Sequence, residues 1–336
     1  MKDIKVSVIC ITYNHEKYIR RALDSFIMQK TDFAFEVIIH DDASTDGTAG
    51  IIKEYAEKYP EIIVPVYETE NQYSKGVRFT QCLIEMARGK YIADCEGDDF
   101  WIDENKLQKQ YDIMENNPNV SIVVGRVQCC KENGDYLDVF YPSSKYTFNS
   151  SQLIRKKDVV KIIYEFGYPF QTSSFFTKKE LRQNLYTREF FLYMNGDESI
   201  IREALVEGDL YYFHDIISSY RLNSVGSWTQ RFKDVSVENR ALHNLRYLYG
   251  LISFDNYTKK EFREYIYKDI IRSISGCGYT DKKMFKELRK YFHIKSLDIL
   301  KDRGLKSYIL YILSIFNPRL VKRLIKLRYQ KKQTNH

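Results

Sequence analysis

The sequence predicts an α/β fold, a doubly wound, mostly parallel and Rossmann-like sheet that is followed by a C-terminal helical extension. Two observations lead to this prediction. The first 125 residues alternate short β-branched runs with stretches of helical spacing, whereas the chain from about residue 234 is helical, Tyr-rich and Lys-rich. We therefore expect one domain over 1–233, made of halves 1–100 and 101–233, and a helical, basic region over 234–336.

The alternation can be followed element by element. Strands are expected at 6–11, 35–39, 62–67 and 91–95, and helices at 18–29, 44–59, 79–87 and 106–116. Ser44 or Thr45 is expected to cap the second helix, because short polar side chains accept hydrogen bonds from free N–H groups there. Further along, Asn133-Gly134 predicts a hairpin turn after a strand over 120–124, and helices at 178–185 and 197–207 precede a strand near 210–212.

The positive charge of the chain is concentrated at its end. The 336 residues carry a net charge of +7, yet residues 301–336 contain ten basic residues and one acidic residue, Asp302. The rest of the chain is therefore slightly acidic. This argues against a protein that binds nucleic acid with its folded body, because such a body carries a basic surplus.

The sequence shows no leader peptide and no metal-binding pattern of cysteines. Met1 leads directly into a predicted strand, so the protein is expected to begin inside the cell. The six cysteines lack zinc-ligand spacing and are expected to be reduced packing residues. The longest late apolar run, 308–316, has about half the length that a bilayer-spanning helix requires.

Polar residues cluster directly after three of the predicted strands. Residues 12–15 follow the first strand, 40–48 follow the second, and 96–99 follow the strand at 91–95. Because the carboxyl ends of parallel strands meet at one edge of a sheet, these clusters are expected to converge on one crevice. Each cluster alone is equally compatible with a plain turn or a helix cap.

The residue types in these clusters suit the recognition of a nucleoside diphosphate. Asp98 and Asp99 offer hard oxygen ligands to Mg²⁺ or Mn²⁺, and such a cation can carry a diphosphate. Tyr13 can stack on a nucleobase, and the carboxylate of Asp42 can accept the N3 hydrogen of uracil. The alternative for the third cluster is an exposed acidic turn.

The same residues resemble the family 2 glycosyltransferases, which have the GT-A fold. Order and spacing fit that family over about residues 4–230, through Val6-Ser7-Val8-Ile9-Cys10-Ile11-Thr12-Tyr13-Asn14, Phe35-Glu36-Val37-Ile38-Ile39-His40-Asp41-Asp42-Ala43-Ser44-Thr45-Asp46-Gly47-Thr48, and Ala87-Arg88-Gly89-Lys90-Tyr91-Ile92-Ala93 leading into Glu96-Gly97-Asp98-Asp99. The resemblance implies a nucleotide-diphosphate sugar donor, most often a UDP-sugar, and transfer with inversion at the anomeric carbon. The half 1–100 would then bind the nucleotide sugar, and the half 101–233 the acceptor.

The resemblance also implies roles for individual residues. It places Tyr13 and Asp42 at the base, and Asp98 and Asp99 at the ribose and the divalent cation. Glu96 stands where the acidic motif of the family usually opens with Asp. The cation, Mn²⁺ or Mg²⁺, is expected on Asp98 and Asp99. The set expected at the nucleotide sugar is Thr12, Tyr13, Asp41, Asp42, Arg78, Glu96 and Asp98, with Arg78 reaching the diphosphate.

Inverting transfer also requires a base on the acceptor side. Family members have an acid about 100 residues after the metal motif, and Asp197 stands there, with Glu198 as the second choice. The structural alternative for Asp197 is a helix N-cap. In the acceptor pocket we expect Thr172 and Ser173, together with Trp101, whose ring packs either on a sugar or in the core.

The basic tail has an amphipathic pattern. Residues 305–332 place apolar side chains at helical spacing, and Arg and Lys alternate with them after Pro318. A basic amphipathic helix is typical of elements that lie on anionic membranes, with about 1 kcal/mol per basic residue near the surface. We therefore expect an anionic membrane surface as a partner of this tail. The alternative is a helix that packs on its own domain or on a partner subunit of an oligomer.

Together these features predict a metal-dependent inverting glycosyltransferase. The expected acceptor is a glycan or a polyprenyl-diphosphate-linked saccharide in bacterial surface polysaccharide synthesis, such as capsule or O-antigen, at the cytoplasmic face of the cell membrane. No nucleic-acid partner is expected. One alternative is a nucleotidyltransferase that makes the sugar nucleotide, although its glycine-rich loop is missing after the first strand. The other is a non-catalytic glycan-binding protein on a decayed transferase fold.

Overall fold

The computed structural model describes residues 3–77, 79–143, 146, 148–224, 235–274 and 281–324. The chain forms two compact units, 1–187 with 200–230 and 188–199 with 231–336. The segment 188–199 therefore groups with the C-terminal helices, although the sequence places it inside the first domain.

The first unit is built on a mixed sheet that has ten strands within the described ranges. These are β1 (Ile4–Thr12), β2 (Ala34–Asp41), β3 (Ile63–Tyr67), β4 (Tyr91–Asp94), β5 (Phe100–Trp101), β6 (Val120–Cys130), β7 (Tyr136–Tyr141), β8 (Gln152–Ile154), β9 (Phe176–Lys178) and β10 (Asp209–Arg221). Their order is β3-β2-β1-β4-β9-β6-β10-β5, with β7 on β6 and β8 on β10.

The strand directions bring most loops that could bind a ligand to one edge. Strands β1 to β4 are parallel to one another, and β6 is parallel to β10. The short strand β9 runs antiparallel to both β4 and β6, so these two share one direction. The carboxyl ends of β1, β2, β4, β6 and β10 therefore lie along the same edge of the sheet.

Helices connect the strands and form the second unit. They are α1 (Ile19–Ile27), α2 (Thr48–Lys58), α3 (Thr80–Met86), α4 (Lys106–Asn116), α5 (Lys156–Phe166), α6 (Lys179–Leu185), α7 (Gly196–Glu207), α8 (Val237–Tyr257), α9 (Arg263–Ser273), α10 (Lys282–Tyr291) and α11 (Ser296–Phe316). A further helical segment covers 318–324.

The sheet has an apolar core on each face, because successive residues of a strand point to opposite sides. Val6 and Val8 of β1 face one core, which α1, α2 and α4 cover. Ile9 of β1 and Ile38 of β2 face the other core, against α3. Strands that are buried on both faces appear in the sequence as continuous apolar runs. Helices cover both faces of this sheet, which confirms the predicted doubly wound arrangement.

A buried carboxylate ties the amino-terminal ends of the strands together. Glu36 of β2 accepts hydrogen bonds from the hydroxyl of Ser7 at 2.6 Å and from the backbone N–H and Nε of Arg88, both at 2.7 Å. The next residue, Gly89, packs so closely on β1 that a Cβ would lie 2.5 Å from the backbone nitrogen of Ser7. Arg88 and Gly89 therefore anchor the start of β4.

The second unit is helical and has its own buried ion pair. The fully buried Asp255 of α8 accepts hydrogen bonds from Arg263 Nε at 3.0 Å and from the hydroxyl of Tyr291 at 2.8 Å. Helix α11 is kinked at Gly304, whose φ is 74°. Among the described helices, none is long and apolar enough to cross a membrane.

The order of the predicted elements is confirmed, with local exceptions. The predicted cap of α2 is wrong, because the hydroxyl of Ser44 donates to Asp41 and the helix begins only at Thr48. The carboxylate of Asp46 accepts the N–H of Thr48 instead, at 3.0 Å. The strand predicted at 210–212 continues to Arg221 as β10, because it pairs with β6 along its length.

Candidate active site

Residues 96–99 form a tight turn at the carboxyl end of β4, which we call the acid loop. The N–H of Asp99 donates to the carbonyl of Glu96 at 3.0 Å, and the N–H of Gly97 donates to the carbonyl of Ile11 at 2.9 Å. A Cβ on Gly97 would lie 2.8 Å from Thr12 Oγ1, so the close approach requires glycine. The acid loop therefore lies directly against the end of β1.

The end of β10 holds the two aspartates of the acid loop. The backbone N–H of Arg221 donates to Asp99 Oδ1 at 2.9 Å, and its Nε donates to the carbonyl of Asp98 at 2.9 Å. The hydroxyl of Ser224 donates to Asp98 Oδ2 at 2.6 Å. Asp98 and Asp99 are 6% and 4% exposed. Both carboxylates are thus fixed by residues more than 120 positions away in the chain.

The acid loop concentrates negative charge with little compensation. Burial, and then the charges of Asp98 and Glu96, raise the pKa of Asp99 well above its usual range, although the N–H of Arg221 works in the opposite direction. Within the described ranges, neither Asp98 nor Asp99 forms an ion pair. A bound cation would relieve this repulsion.

The donor set fits a hard divalent cation that is only partly ligated by protein. Carboxylate oxygens are the ligands that Mg²⁺ prefers, usually one or two of them together with phosphate oxygens and water. The part of the chain that the structure describes has no group of three or more His, Cys, Asp or Glu side chains arranged to hold a metal. Asp98 and Asp99 would therefore supply the protein ligands, and the bound substrate the others.

The loops after β1 and β2 are interlocked by side chains. Asn14 donates its N–H to Ser44 Oγ at 2.8 Å, and Asn14 Oδ1 accepts the N–H of Thr45 at 2.8 Å. The N–H of His15 donates to Thr48 Oγ1 at 2.9 Å. Asn14 has a left-handed backbone, with φ of 55°, which short polar side chains tolerate. The second predicted cluster is thereby brought next to the first.

Asp42 connects this pair of loops to a third loop, at 71–76. Its carboxylate accepts the N–H of Gln72 on Oδ1 at 2.6 Å and the N–H of Tyr73 on Oδ2 at 3.1 Å. Its own N–H donates to the carbonyl of Thr12 at 3.0 Å. Each carboxylate oxygen keeps a second lone pair, so Asp42 retains acceptor capacity. The neighbouring Tyr13 is 37% exposed and available for stacking.

Thr12 and Asp41 are buried behind this surface. The hydroxyl of Thr12 has no hydrogen-bond partner among the described residues. The carboxyl of Asp41 accepts the hydroxyl of Ser44, and burial raises its pKa. Asp41 therefore closes the turn that carries Asp42. Arg78, which was expected at the diphosphate, lies outside the described residues.

Comparison with known protein families identifies this arrangement. Residues 7–173 match the family described as Glycosyl transferase family 2. Through this region the chain belongs to glycosyl transferase family 2. The match contains all three polar clusters at the sheet edge, which supports treating them as one site.

Several known proteins are similar to the chain. An uncharacterised protein of Mycobacterium tuberculosis is 32% identical over 235 residues, which cover 68% of this chain and 62% of that protein. The chain thus matches less than two thirds of the length of this relative. An uncharacterised glycosyltransferase of Methanocaldococcus jannaschii is 27% identical over 303 residues, covering 89% and 94%. The UDP-Glc:alpha-D-GlcNAc-diphosphoundecaprenol beta-1,3-glucosyltransferase WfgD of Escherichia coli is 29% identical over 150 residues, covering 44% and 55%.

The fold is also that of a solved structure. The crystal structure of residues 1–349 of S. aureus TarS in complex with UDP aligns with a TM-score of 0.59 and 16% sequence identity, covering 94% of this chain and 92% of that chain. At this identity the likeness shows the fold alone. It confirms the predicted GT-A architecture with additional C-terminal helices.

The structure corrects the expected acceptor role of Trp101 in this family 2 domain. Trp101 is 1% exposed, with Phe26 edge-on at 4.8 Å and Lys106 Nζ 4.0 Å from its ring centroid. Its faces are therefore occupied by protein and its indole N–H donates to the carbonyl of Ser173 at 3.0 Å. Ser173 is also enclosed, with its hydroxyl 3.1 Å from that of Ser218. Thr172 is half-buried.

The expected base belongs to the second unit. Asp197 lies in the first turn of α7, one residue after the helix begins, and its Oδ1 accepts the N–H of Glu198 at 2.8 Å. It therefore satisfies a first-turn N–H without standing at the N-cap position. Burial raises the pKa of Asp197, which makes its carboxylate a stronger base.

Sequence reasoning assigned no role to Arg221 or Ser224, which hold the acid loop. Arg221 ends β10 and Ser224 follows it, and the carboxyl end of this strand shares the edge of β1 and β4. A signal was present, since Arg221 falls within residues 4–230, over which order and spacing resemble the family. It was missed because the predicted strand ended at residue 212.

Proposed function

We propose that the protein is a metal-dependent inverting glycosyltransferase that uses a nucleotide-diphosphate sugar, with UDP as the nucleotide. The observation that carries this proposal is the junction of the acid loop with the end of β1, next to Tyr13 and to Asp42 of the loop after β2. One side of this junction offers an aromatic ring and a carboxylate for a base. The other side offers two buried carboxylates for a cation. The two sides thus match the two parts of a nucleoside diphosphate, its base and its diphosphate.

The choice of UDP rests on hydrogen-bond chemistry. Uracil has one ring N–H flanked by carbonyl groups, and a fixed carboxylate such as Asp42 accepts that N–H selectively. The backbone N–H groups of Gln72 and Tyr73 hold the carboxylate in place, so little conformational entropy is lost on binding. The printed name of the E. coli relative, a UDP-Glc transferase, supports the same donor class.

In the proposed reaction, the protein aligns the acceptor and moves one proton. An acceptor hydroxyl attacks the anomeric carbon from the face opposite the diphosphate, forming the new C–O bond while the bond to the diphosphate oxygen breaks. Asp197 takes the hydroxyl proton, with Glu198 as the second choice. Asp98 and Asp99 would hold a divalent cation, which would supply positive charge to stabilise the departing diphosphate. Glu96 adds further negative charge near that site.

Turnover measured with purified protein tests the proposal. Hydrolysis and transfer are followed for a panel of UDP-sugars with Mn²⁺, comparing wild type with Asp99→Ala and Asp197→Ala. We expect Asp99→Ala to lose both UDP binding with Mn²⁺ and turnover. Asp197→Ala should keep UDP binding and lose about 10²–10⁴-fold in transfer, the usual contribution of a general base.

A matched control is Asp138→Ala, since Asp138 is an exposed acid on β7. It should keep full turnover. Full activity in both Asp99→Ala and Asp197→Ala would reject the proposed site. Hydrolysis that is independent of added Mn²⁺ or Mg²⁺ in metal-stripped protein would reject the metal dependence.

For the acceptor, we infer a lipid-linked or polymeric glycan of the bacterial cell surface. The E. coli relative is named for a diphosphoundecaprenol-linked acceptor, and another relative, from Bacillus spizizenii, is named a poly(ribitol-phosphate) beta-glucosyltransferase. Both names describe acceptors that carry phosphate. Thr172 is the residue of the expected acceptor pocket that remains accessible.

A lipid-linked acceptor would also favour docking of the C-terminal helices on an anionic membrane surface at the cytoplasmic face. Large apolar side chains recur at near-helical spacing and stay exposed in the described part of the tail: Leu305, Ile309, Phe316, Leu320 and Leu324 are 64%, 46%, 79%, 38% and 41% exposed. Exposed Lys306, Arg319 and Arg323 lie among them. Residues 325–332 of the expected membrane element lie outside the described residues.

Vesicle flotation tests this docking. Wild type should float with phosphatidylglycerol vesicles, less with phosphatidylcholine vesicles, and a Phe316→Ser/Leu320→Ser variant should float much less. The matched control is Val139→Ser, which removes an exposed apolar side chain from β7. A 1–304 truncation that floats as well as wild type would contradict the proposal.

A further inference from the structure

A second, basic cleft opens beside the acid loop within the first unit. Its volume is about 330 Å³, at the small end of ligand sites in proteins. Three elements form it: the turn into α1, the β6–β7 hairpin turn, and the end of β10. It is lined by Lys17, Tyr18, Arg21, Glu132, Asn133 and Arg221.

The arginine at the bottom of this cleft is held rigidly. Arg221 is 3% exposed and its guanidinium lies 4.7 Å from the ring centroid of Tyr18. Its Nη1 donates to the carbonyls of Lys131 and Glu132 at 3.1 and 2.6 Å. Among the described residues, its Nη2 group has no hydrogen-bond partner. The planar donor fork is therefore oriented before any ligand arrives.

A second guanidinium is fixed on the wall of the cleft. Arg21 lies with its Cζ 3.7 Å from the ring centroid of Phe100, and its Nη1 donates to the carbonyl of Gly134 at 3.2 Å. The left-handed turn at Gly134, with φ of 90°, brings that carbonyl to the arginine. Stacking on an aromatic ring leaves the remaining donors of Arg21 directed along the plane of the ring.

Cations outnumber acids in the cleft. The single carboxylate, Glu132, already accepts the hydroxyl of Tyr18 at 3.0 Å and lies 3.7 Å from Lys17 Nζ. Three cations against one occupied carboxylate leave a surplus of positive charge. Two arginines that present planar donor forks, with a lysine at the mouth, are the side chains that proteins use to bind phosphate.

We propose that this cleft binds a phosphate group of the acceptor substrate. This proposal rests on the proposed transferase function and adds the position and charge of the acceptor. The cleft lies between the ends of β6 and β10 on one side and residues 17–21, which follow the loop of Tyr13, on the other, and Arg221 joins it to the acid loop. A phosphate bound here would place the acceptor beside the acid loop, where the donor diphosphate is proposed to bind.

Calorimetric titration with two probes separates this phosphate from the donor diphosphate. The full-length protein is first titrated with UDP and Mn²⁺, and the saturated complex is then titrated with geranyl phosphate. Wild type should bind both. Lys17→Gln/Arg21→Gln should bind geranyl phosphate about tenfold or more weakly, a change of about 1.4 kcal/mol per factor of ten, and should keep its affinity for UDP.

The matched control is Arg20→Gln, since Arg20 lies on the same helix but pairs with Glu54 outside the cleft. It should bind both probes within about twofold of wild type, because an exposed ion pair contributes little. Three results would overturn the proposal. UDP and geranyl phosphate could compete for one site, the double variant could bind UDP as weakly as it binds geranyl phosphate, or the double variant could bind geranyl phosphate as tightly as wild type does. Failure of wild type to bind UDP with Mn²⁺ would instead sink the proposed function alone.

Discussion

The buried Glu36 near the start of β2 and the two aspartates of the acid loop are held in opposite ways. At the amino-terminal edge, Glu36 accepts three hydrogen bonds and pairs with Arg88, whose Nη2 lies 2.6 Å away. At the carboxyl-terminal edge, Asp98 and Asp99 receive one hydroxyl and one backbone N–H on their carboxylates. Both edges bury their acids almost completely.

This difference in hydrogen-bond donors and cationic partners distinguishes acids that stabilise the fold from acids that bind a ligand. A buried carboxylate with sufficient donors and a cationic partner stabilises the fold, whereas one that lacks them costs free energy until a cation or ligand binds. Burial alone therefore does not identify the site. The state of compensation does, and five substitutions test this comparison from the largest expected effect to the smallest.

The largest effect is expected from Asp99→Asn. Turnover of a UDP-sugar with Mn²⁺ should fall by about 10²–10³-fold, as when one group that stabilises charge in a transition state is removed. The free energy of unfolding without metal should stay equal or rise, because repulsion with Asp98 and Glu96 is removed. Steady-state kinetics and urea unfolding measure the two quantities, and a large loss of stability would contradict the assignment.

Glu36→Gln should show the reverse pattern. The substitution keeps the shape but weakens bonds to a charged acceptor, so the free energy of unfolding should fall by about 2–3 kcal/mol. Turnover per folded molecule should stay within about twofold of wild type. A selective loss of turnover in a stable variant would place Glu36 in the site and break the comparison of the edges.

Two glycines extend the comparison to steric fit. Gly89→Ala and Gly97→Ala should each cost about 1–3 kcal/mol, since a Cβ would collide with Ser7 at one edge and with Thr12 at the other. Thermal unfolding with and without UDP and Mn²⁺ distinguishes the two variants, because only Gly97→Ala should also weaken the binding of UDP. The control is Gly50→Ala in α2, where a Cβ meets nothing within 4 Å and stability should rise slightly.

The smallest effect is expected at Lys106, a buried residue at the start of α4. Burial lowers its pKa from 10.5 to about 7. The unfolded chain holds this proton to a higher pH than the folded chain does. The free energy of unfolding of wild type should therefore rise by about 1–2 kcal/mol between pH 7 and pH 9. Lys106→Met should lack that gain. Urea unfolding at both pH values measures it, and parallel profiles would contradict the lowered pKa.

Much of the fold was accessible from local patterns. Helix α4 begins and ends at the predicted residues 106 and 116, and the Asn133-Gly134 hairpin forms between β6 and β7. Local propensity failed where a distant partner competed. The hydroxyl of Ser44 bonds Asp41 and receives the N–H of Asn14 instead of capping α2, and β10 extends because β6 lies beside it.

The candidate site was predicted in its residue types and only in part in its geometry. Tyr13 is exposed and Asp42 sits beside the loop of Thr12, in keeping with three clusters at one edge. Trp101 was open to two roles in the sequence, and its burial against Phe26 and Lys106 selects the core. No local pattern could make that choice, because it depends on which helix covers the ring.

By itself the sequence determined the order of strands and helices, the family, and the carboxylates at the ends of β1, β2 and β4, because each depends on neighbours within a few residues. The tertiary structure decided which acids are compensated and which are not. Arg88 reaches Glu36 across 52 positions, and Arg221 reaches Asp99 across 122. The basic cleft has the same origin, since its cations come from α1 and β10, which only the folded sheet brings together.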